Sequence, residues 1–387
     1  MKYDFDTWAS HDNNGNMKGS WAKDFPENVL MLSGAEMDYG LPAFIGDALA
    51  DFAKNGLFGF TLPGREYKKS ICDWMKLTRG REINPDHIVA TLGTTFGLST
   101  AIRAFTEKGD GVIIQHPSYG RFDRAMVRNS RKVVSNLLKE ENGVYSLDFA
   151  DLEEKMAVPE NKMLVLVNPH NPTGRVFTKA ELEKVARLAN KYNVVVFSDE
   201  IFAETAQGEK VVMYSEVDPV MGISCTSLGK TFNLTGVNQA NLIIPSDSLR
   251  EKYSTQKDID HFGSIDPFFY TTLRAAYTEQ GYEWVQQMNA HTLENYNLLK
   301  NAIETDMPLL NVSPLEATFV AWIDCRKLGL TDHEIEKFFV DEAFIRADWG
   351  EEYGPGGSGF VRMNIGTTRK AIETAVKTLT AAYKARF

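Results

Sequence analysis

The sequence predicts an α/β protein: a large domain built on a mainly parallel seven-stranded sheet, followed by a smaller α+β domain. Three observations point there. Short runs rich in apolar and β-branched residues recur at 88–92, 112–115, 132–136, 163–167, 194–198, 223–226 and 240–244. Several are apolar at nearly every position, as strands covered on both faces are. Helical patterns lie between many of them, and strands that alternate with helices form parallel sheets. Third, the rhythm changes after about Gly281.

Taken in order, residues 1–35 read as an irregular segment that packs on the small domain, residues 36–284 as the large domain and residues 285–387 as the small one. Within the large domain, Thr178-Lys179-Ala180-Glu181 has the capping-box pattern. Leu182, Val185, Ala189 and Tyr192 then recur at helical spacing, which predicts a helix there. The small domain is expected to comprise a long helix over 282–304, a strand over 319–323, a helix over 332–343, a strand over 360–365 and a final helix over 369–385. Gly354-Pro355-Gly356-Gly357-Ser358-Gly359 fits the GxGxxG expression. The dinucleotide fingerprint needs a strand before it and a helix after it. Here a β-like run follows, so the segment reads as a loop.

Composition narrows the function. The chain has 387 residues and a formal net charge of -10, with no long basic run, which argues against a nucleic-acid partner. Cys72, Cys225 and Cys325 are isolated and the seven histidines are dispersed, so neither a disulfide framework nor a metal-ligand cluster is visible. Met1-Lys2-Tyr3-Asp4-Phe5-Asp6 has no apolar signal pattern, and no apolar stretch is long enough to span a membrane. These features lead us to expect a cytoplasmic enzyme acting on a small molecule.

Three motifs carry the chemistry. Asn168-Pro169-His170-Asn171-Pro172-Thr173-Gly174, Ser198-Asp199-Glu200 and Ser227-Leu228-Gly229-Lys230-Thr231-Phe232-Asn233 each follow a β-like run. Open α/β sheets bind ligands beyond the carboxyl ends of their strands. An amide, a carboxylate and a lysine placed there match pyridoxal phosphate (PLP) chemistry: the lysine makes a Schiff base and a protein group tunes the pyridinium nitrogen. Singly, each has an ordinary explanation. A strand-end aspartate caps the next helix, Asn-Pro makes turns, and most lysines are solvated. The ordered set is what distinguishes the chain.

That set resembles the fold-type I PLP enzymes of the aspartate aminotransferase superfamily, and more narrowly the MalY/PatB branch of cystathionine β-lyases. The likeness runs nearly end to end and includes Met37-Asp38, Gly59-Phe60-Thr61, 101–106 and Arg362-Met363-Asn364-Ile365. It implies that Lys230 forms the Schiff base, that Asp199 pairs with the pyridinium and that Asn171 meets the phenolate oxygen. By the same likeness, Gly93, Thr94, Thr95 and Ser227 hold the phosphate and Tyr119 stacks on the ring. Arg362 takes the substrate α-carboxylate, and a homodimer shares its sites, Phe60 coming from the neighbour. The implied reaction is β-elimination from a cysteine S-conjugate. Amino-group transfer uses the same residues, and a catalytically weak binding or regulatory protein is a third reading.

The chain departs from the pattern at several positions. Phe60 replaces the usual tyrosine, Phe202 a histidine and Glu36 an aspartate. A tryptophan-containing segment is altered to Met31-Leu32-Ser33-Gly34, and Asn238 stands where many aminotransferases carry a phosphate-binding arginine. The substrate mouth and the phosphate anchor are therefore where this chain is expected to be individual.

Overall fold

In the structure, a computed structural model that describes residues 3–10 and 15–387, all seven expected runs join one sheet. The strands are β1 (Ile88–Thr91), β2 (Gly111–His116), β3 (Lys132–Leu137), β4 (Asn161–Val167), β5 (Val195–Asp199), β6 (Gly222–Thr226) and β7 (Ala240–Ile243). Their spatial order is β1-β7-β6-β5-β4-β2-β3. Only β7 runs against the rest. Five of the strands are buried at every position, because helices cover both faces. β1 and β3 are the two edge strands, and β3 is the more exposed, with its end residues Lys132 and Leu137 open to solvent.

This topology brings the carboxyl ends of the six parallel strands to one edge. The segments that leave β1, β2, β4, β5 and β6 there begin at Leu92, Pro117, Asn168, Glu200 and Ser227. Because β7 is reversed, Asn238 and Gln239 enter it from the same edge. Five helices matter below: α1 (Arg65–Arg79), α2 (Gly93–Phe105), α3 (Arg121–Arg128), α4 (Leu228–Thr231) and α5 (Glu279–Asp306).

The second sheet is antiparallel, in the order β8 (Asn311–Val312), β9 (Val320–Asp324), β11 (Phe360–Asn364) and β10 (Asp348–Trp349). Its core includes Ile323, Val361, Met363, Ile372 and Leu379, joined by Leu299 and Ile303 from the far half of α5. The near half of α5 sends Trp284, Val285 and Met288 into a different core, with Tyr67, Trp74 and Phe232. One helix thus serves both cores. The N-terminal segment also touches both: Leu30–Met31 pairs in parallel with Ile345–Arg346, whereas the Phe5 ring lies 5.1 Å from Tyr39 and 5.4 Å from Trp284.

The expected helix over 332–343 is divided. A capping box of Thr331 and Glu334 starts an α-helix over Asp332–Lys337, which widens into a π-helical turn over Phe338–Glu342. Phe338 and Phe339 are both fully buried, and the wider turn lets two consecutive aromatic side chains enter the core. The expected strand 319–323 is shifted by one residue, to Val320–Asp324. The glycine-rich segment is a loop that runs into β11. Gly354 has φ +78°, and a Cβ there would lie 2.9 Å from the His116 ring, so close packing explains the glycine.

Candidate active site

Lys230 stands on α4, a single turn that follows β6. Ser227 caps the turn: its Oγ accepts the Gly229 N–H at 3.1 Å and donates to the Gln239 carbonyl at 2.6 Å. Lys230 Nζ donates to the Ala35 carbonyl at 2.7 Å and to Thr235 Oγ1 at 3.3 Å. Ala35 is kept in place by Asn233, a residue with φ +57° whose Oδ1 accepts the Met37 N–H at 2.8 Å and whose Nδ2 donates to the Met37 carbonyl at 2.9 Å. Burial lowers the Lys230 ammonium to a pKa of about 8, and the Arg362 charge adds to this; Glu36 and Asp199 oppose it.

Asp199 ends β5 and is 3% exposed. Its Oδ1 accepts the Ile201 N–H at 3.3 Å, and among the described residues no lysine or arginine forms an ion pair with it. Burial pushes its carboxyl up to about 7, Glu200 adds to the rise, and the Lys230 charge offsets part of it. A buried carboxylate with no cation beside it suits a site that receives one from a ligand.

The third element is an anion cradle. Gly93 opens α2 with φ +74°, and no side chain caps that helix. The first N–H groups of a helix have no internal partner and sit at the positive end of its dipole. Gly93, Thr94 and Thr95 therefore offer donors to an anion. Asn238 passes 4.0 Å from where a Gly93 Cβ would lie, so its short amide, in place of an arginine, borders the cradle. The Ser227 hydroxyl would have to turn from Gln239 to donate here. An amine, a buried acid without a cation and an uncapped helix start at one sheet edge fit a phosphorylated pyridine aldehyde.

Arg362 reaches the site from β11. It is 3% exposed. Its Nε and Nη2 donate to Asp348 Oδ2 at 3.0 and 2.5 Å, and its Nη1 donates to Asn171 Oδ1 at 2.9 Å. Asp348 lies directly across from it on β10, and the Tyr353 ring sits under the guanidinium at 5.1 Å. Three of five N–H groups are used, which leaves one on each of Nη1 and Nη2 for a ligand carboxylate. The bond to Asn171 spends the amide oxygen and leaves Nδ2 as a donor.

Tyr119 lies in the segment after β2, half-buried, edge-on to Phe122 at 5.6 Å. Phe202 is buried against Phe319, with ring centroids 5.4 Å apart, and Lys230 Nζ lies 6.0 Å from its ring. Phe60 is the one candidate that does not join the others. It is fully exposed, in a run where Leu57, Phe58 and Leu62 are exposed too. A cavity of about 540 Å³ where β1 begins and β7 ends, bordered by Arg81, His87 and Val217, contains none of these groups.

Three features were not visible in the sequence. Arg79, at the end of α1, is buried and bonds the carboxylates of Glu200 and Glu204. Glu200 also accepts from Ser224 Oγ at 2.6 Å and from the Tyr214 N–H at 2.9 Å, while Thr231 Oγ1 donates to Glu204 at 3.5 Å. This network lies under both Asp199 and Lys230. Asp348 is the second feature, visible only once β10 and β11 are in register. Arg121 is the third: its guanidinium carbon lies 5.9 Å from the Tyr119 ring. Among the described residues no helix is long and apolar enough to cross a membrane, and no group of His, Cys, Asp and Glu is placed to hold a metal ion.

Comparison with known proteins agrees with this geometry. Cystathionine β-lyase PatB of Bacillus subtilis is 32% identical over 92% of both chains. Protein MalY of Escherichia coli is 30% identical, again over 92% of both. Among solved structures, PLP-containing cystalysin of Treponema denticola superimposes with a TM-score of 0.93 over 100% of both chains at 32% identity. Residues 27–379 match the family described as aminotransferase class I and II. The chain belongs to the aminotransferase class I and II family.

Proposed function

We propose that the protein is a PLP-dependent carbon–sulfur β-lyase, which splits a cysteine S-conjugate and water into a thiol, pyruvate and ammonia. The observation that carries this reading is the convergence of Lys230, Asp199, Asn171 and Arg362 on the carboxyl edge of the sheet, in a chain similar to a cystathionine β-lyase along its length.

Bound PLP supplies an aldehyde that links to amines and a ring that takes up the charge left by a departing α-proton. The residues of the chain make that possible. With a pKa of about 8, Lys230 offers an unprotonated amine in a useful fraction near neutral pH. With a substrate amine in its place, Nζ would be the base that takes up the α-proton. Asp199, buried and without an ion-pair partner among the described residues, would favour a proton on the pyridine nitrogen of the bound cofactor. Asn171 Nδ2 would donate to the phenolate oxygen, and Gly93, Thr94 and Thr95 at the start of α2, with the Ser227 hydroxyl, would hold the phosphate. Tyr119 would flank the ring. Arg362, fixed by Asp348, binds the α-carboxylate with its two remaining N–H groups. Amino-group transfer would use these groups too, and differs in where Lys230 returns the proton.

The exposed run 57–62 supports a homodimer. Four large apolar side chains, Leu57, Phe58, Phe60 and Leu62, face outward on one short segment. Contiguous apolar surface of that kind marks an interface. A second copy of the chain is its occupant, with Phe60 at the neighbouring site. Three free thiols and the absence of a spanning helix among the described residues accord with a cytoplasmic enzyme.

The test mixes PLP-loaded protein with cystathionine and no keto acid. Catalytic release of pyruvate and thiol is the expected result. A single conversion of the cofactor to pyridoxamine phosphate, followed by arrest, would identify an aminotransferase instead.

A further inference from the structure

We propose that Arg121 recognises an anionic group on the leaving side of the substrate, so that the favoured conjugates are those whose departing thiol carries a carboxylate. This rests on the carbon–sulfur lyase reading above.

Arg121 is the first residue of α3 and is exposed. Among the described residues it forms no ion pair. The nearest acid on its own helix, Asp123, is occupied with His116 Nε2 at 3.0 Å. A cation in the first turn of a helix opposes the dipole, so its position does nothing for the stability of α3. Its place is better explained by what it faces. The guanidinium lies 5.9 Å from the ring of Tyr119, the residue that borders the cofactor position. Its charge also reaches Lys230, whose ammonium it depresses along with Arg362.

Two arginines thus address one lysine. Arg362 is fixed by Asp348 and Asn171 and has two N–H groups left, enough for a single carboxylate. A second carboxylate on the same substrate needs a second cation. Arg121 is that cation, and its planar fork matches a carboxylate better than a lysine would. The other charges that reach Nζ are Asp199, at the pyridine side of the site, and Glu36, whose Oε2 accepts from Asn16 Nδ2 at 3.0 Å. Both carboxylates repel an anion on their own sides, which leaves the Tyr119–Arg121 side as the exit for an acidic thiol.

The test compares S-(2-carboxyethyl)-L-cysteine with its amide, which has the same shape and no charge. With water, the acid gives 3-sulfanylpropanoate, pyruvate and ammonia. The PLP-loaded protein is expected to prefer the acid by kcat/KM. In Arg121→Gln the acid-to-amide ratio is expected to fall about tenfold, mostly through KM, as the loss of a charge-assisted contact at an exposed site implies. Arg121→Glu should shift preference toward S-(2-aminoethyl)-L-cysteine. Calorimetric binding of the α-methyl versions, which have no α-proton to lose, should follow the same order. Equal treatment of acid and amide by the parent protein, or an unmoved ratio in Arg121→Gln, overturns the proposal. If no conjugate yields thiol and pyruvate, the lyase reading falls, and the α-methyl binding pair still decides whether Arg121 reads the anion.

Discussion

Lys230 and Asp199 are both shifted toward their neutral forms, and mainly by the same cause, burial at the sheet edge. For Lys230 the consequence is kinetic. The rate at which the protein takes up PLP and becomes trappable by borohydride should rise with pH and level off above about 8. Lys230→Ala should still hold PLP but give no trapped adduct and no turnover, and residual turnover would refute the assignment. For Asp199 the consequence is thermodynamic. Its folded value of about 7 lies above an ordinary carboxyl near ~4. Between those values the folded state keeps a proton that the unfolded chain has lost, so stability falls as pH rises through that window and the full cost remains above it. Cofactor-free Asp199→Asn should therefore exceed the parent by about 2–4 kcal/mol at pH 8 and match it at pH 4. Denaturant midpoints measure both, and equal midpoints at pH 8 would contradict the burial argument. Lys230, Asp199 and Asn171 were legible in the sequence because each follows an apolar run. Arg79 was not, since its partners Glu200 and Glu204 lie far away in the chain, nor was Arg121, whose facing toward the Tyr119 ring and the site depends on the turn into α3.

At the scale of elements, hydrophobic runs located every strand of the main sheet, because strands covered on both faces need apolar residues at almost every position. Register was beyond reach, and with it the Asp348–Arg362 pair across β10 and β11. The π-helical turn at Phe338–Glu342 was hidden for a similar reason: it answers to the core it meets rather than to local propensity. The junction of α1 with the segment after β5 is the most sensitive joint. Arg79 faces two buried carboxylates, and removal of one partner from such a group leaves uncompensated charge. Arg79→Met is expected to lower stability by about 3–5 kcal/mol, and Glu204→Gln in the same chain should recover part of the loss. A urea midpoint unchanged by Arg79→Met would show that the network does not bear on stability.

At the scale of the molecule, α5 enters both cores with 28 residues, a rod of roughly 42 Å at the α-helical rise. The exposed run 57–62 gives a solution prediction. Phe58→Ser with Phe60→Ser should weaken self-association, and sedimentation should detect more of the single-chain species as the protein is diluted. A parent protein that is already a fully active monomer would remove the shared-site picture. A role for Phe60 outside its own site was implied only by likeness to relatives; the exposed apolar run around it is the surface that the proposed dimer would cover. Arg362 also gains a meaning at this scale. It belongs to the small sheet, yet it holds Asn171 from the large one, much as Arg175 reaches Glu316 at 2.6 Å. The candidate site therefore lies where residues of the small sheet meet the carboxyl edge of the large one. On the proposed function, a substrate lying across it, with its carboxylate at Arg362 and its amine near Lys230, would act as a fastener. Occupancy becomes a mechanical event, and a ligand that lacks the carboxylate would fill the site and leave the seam unlatched.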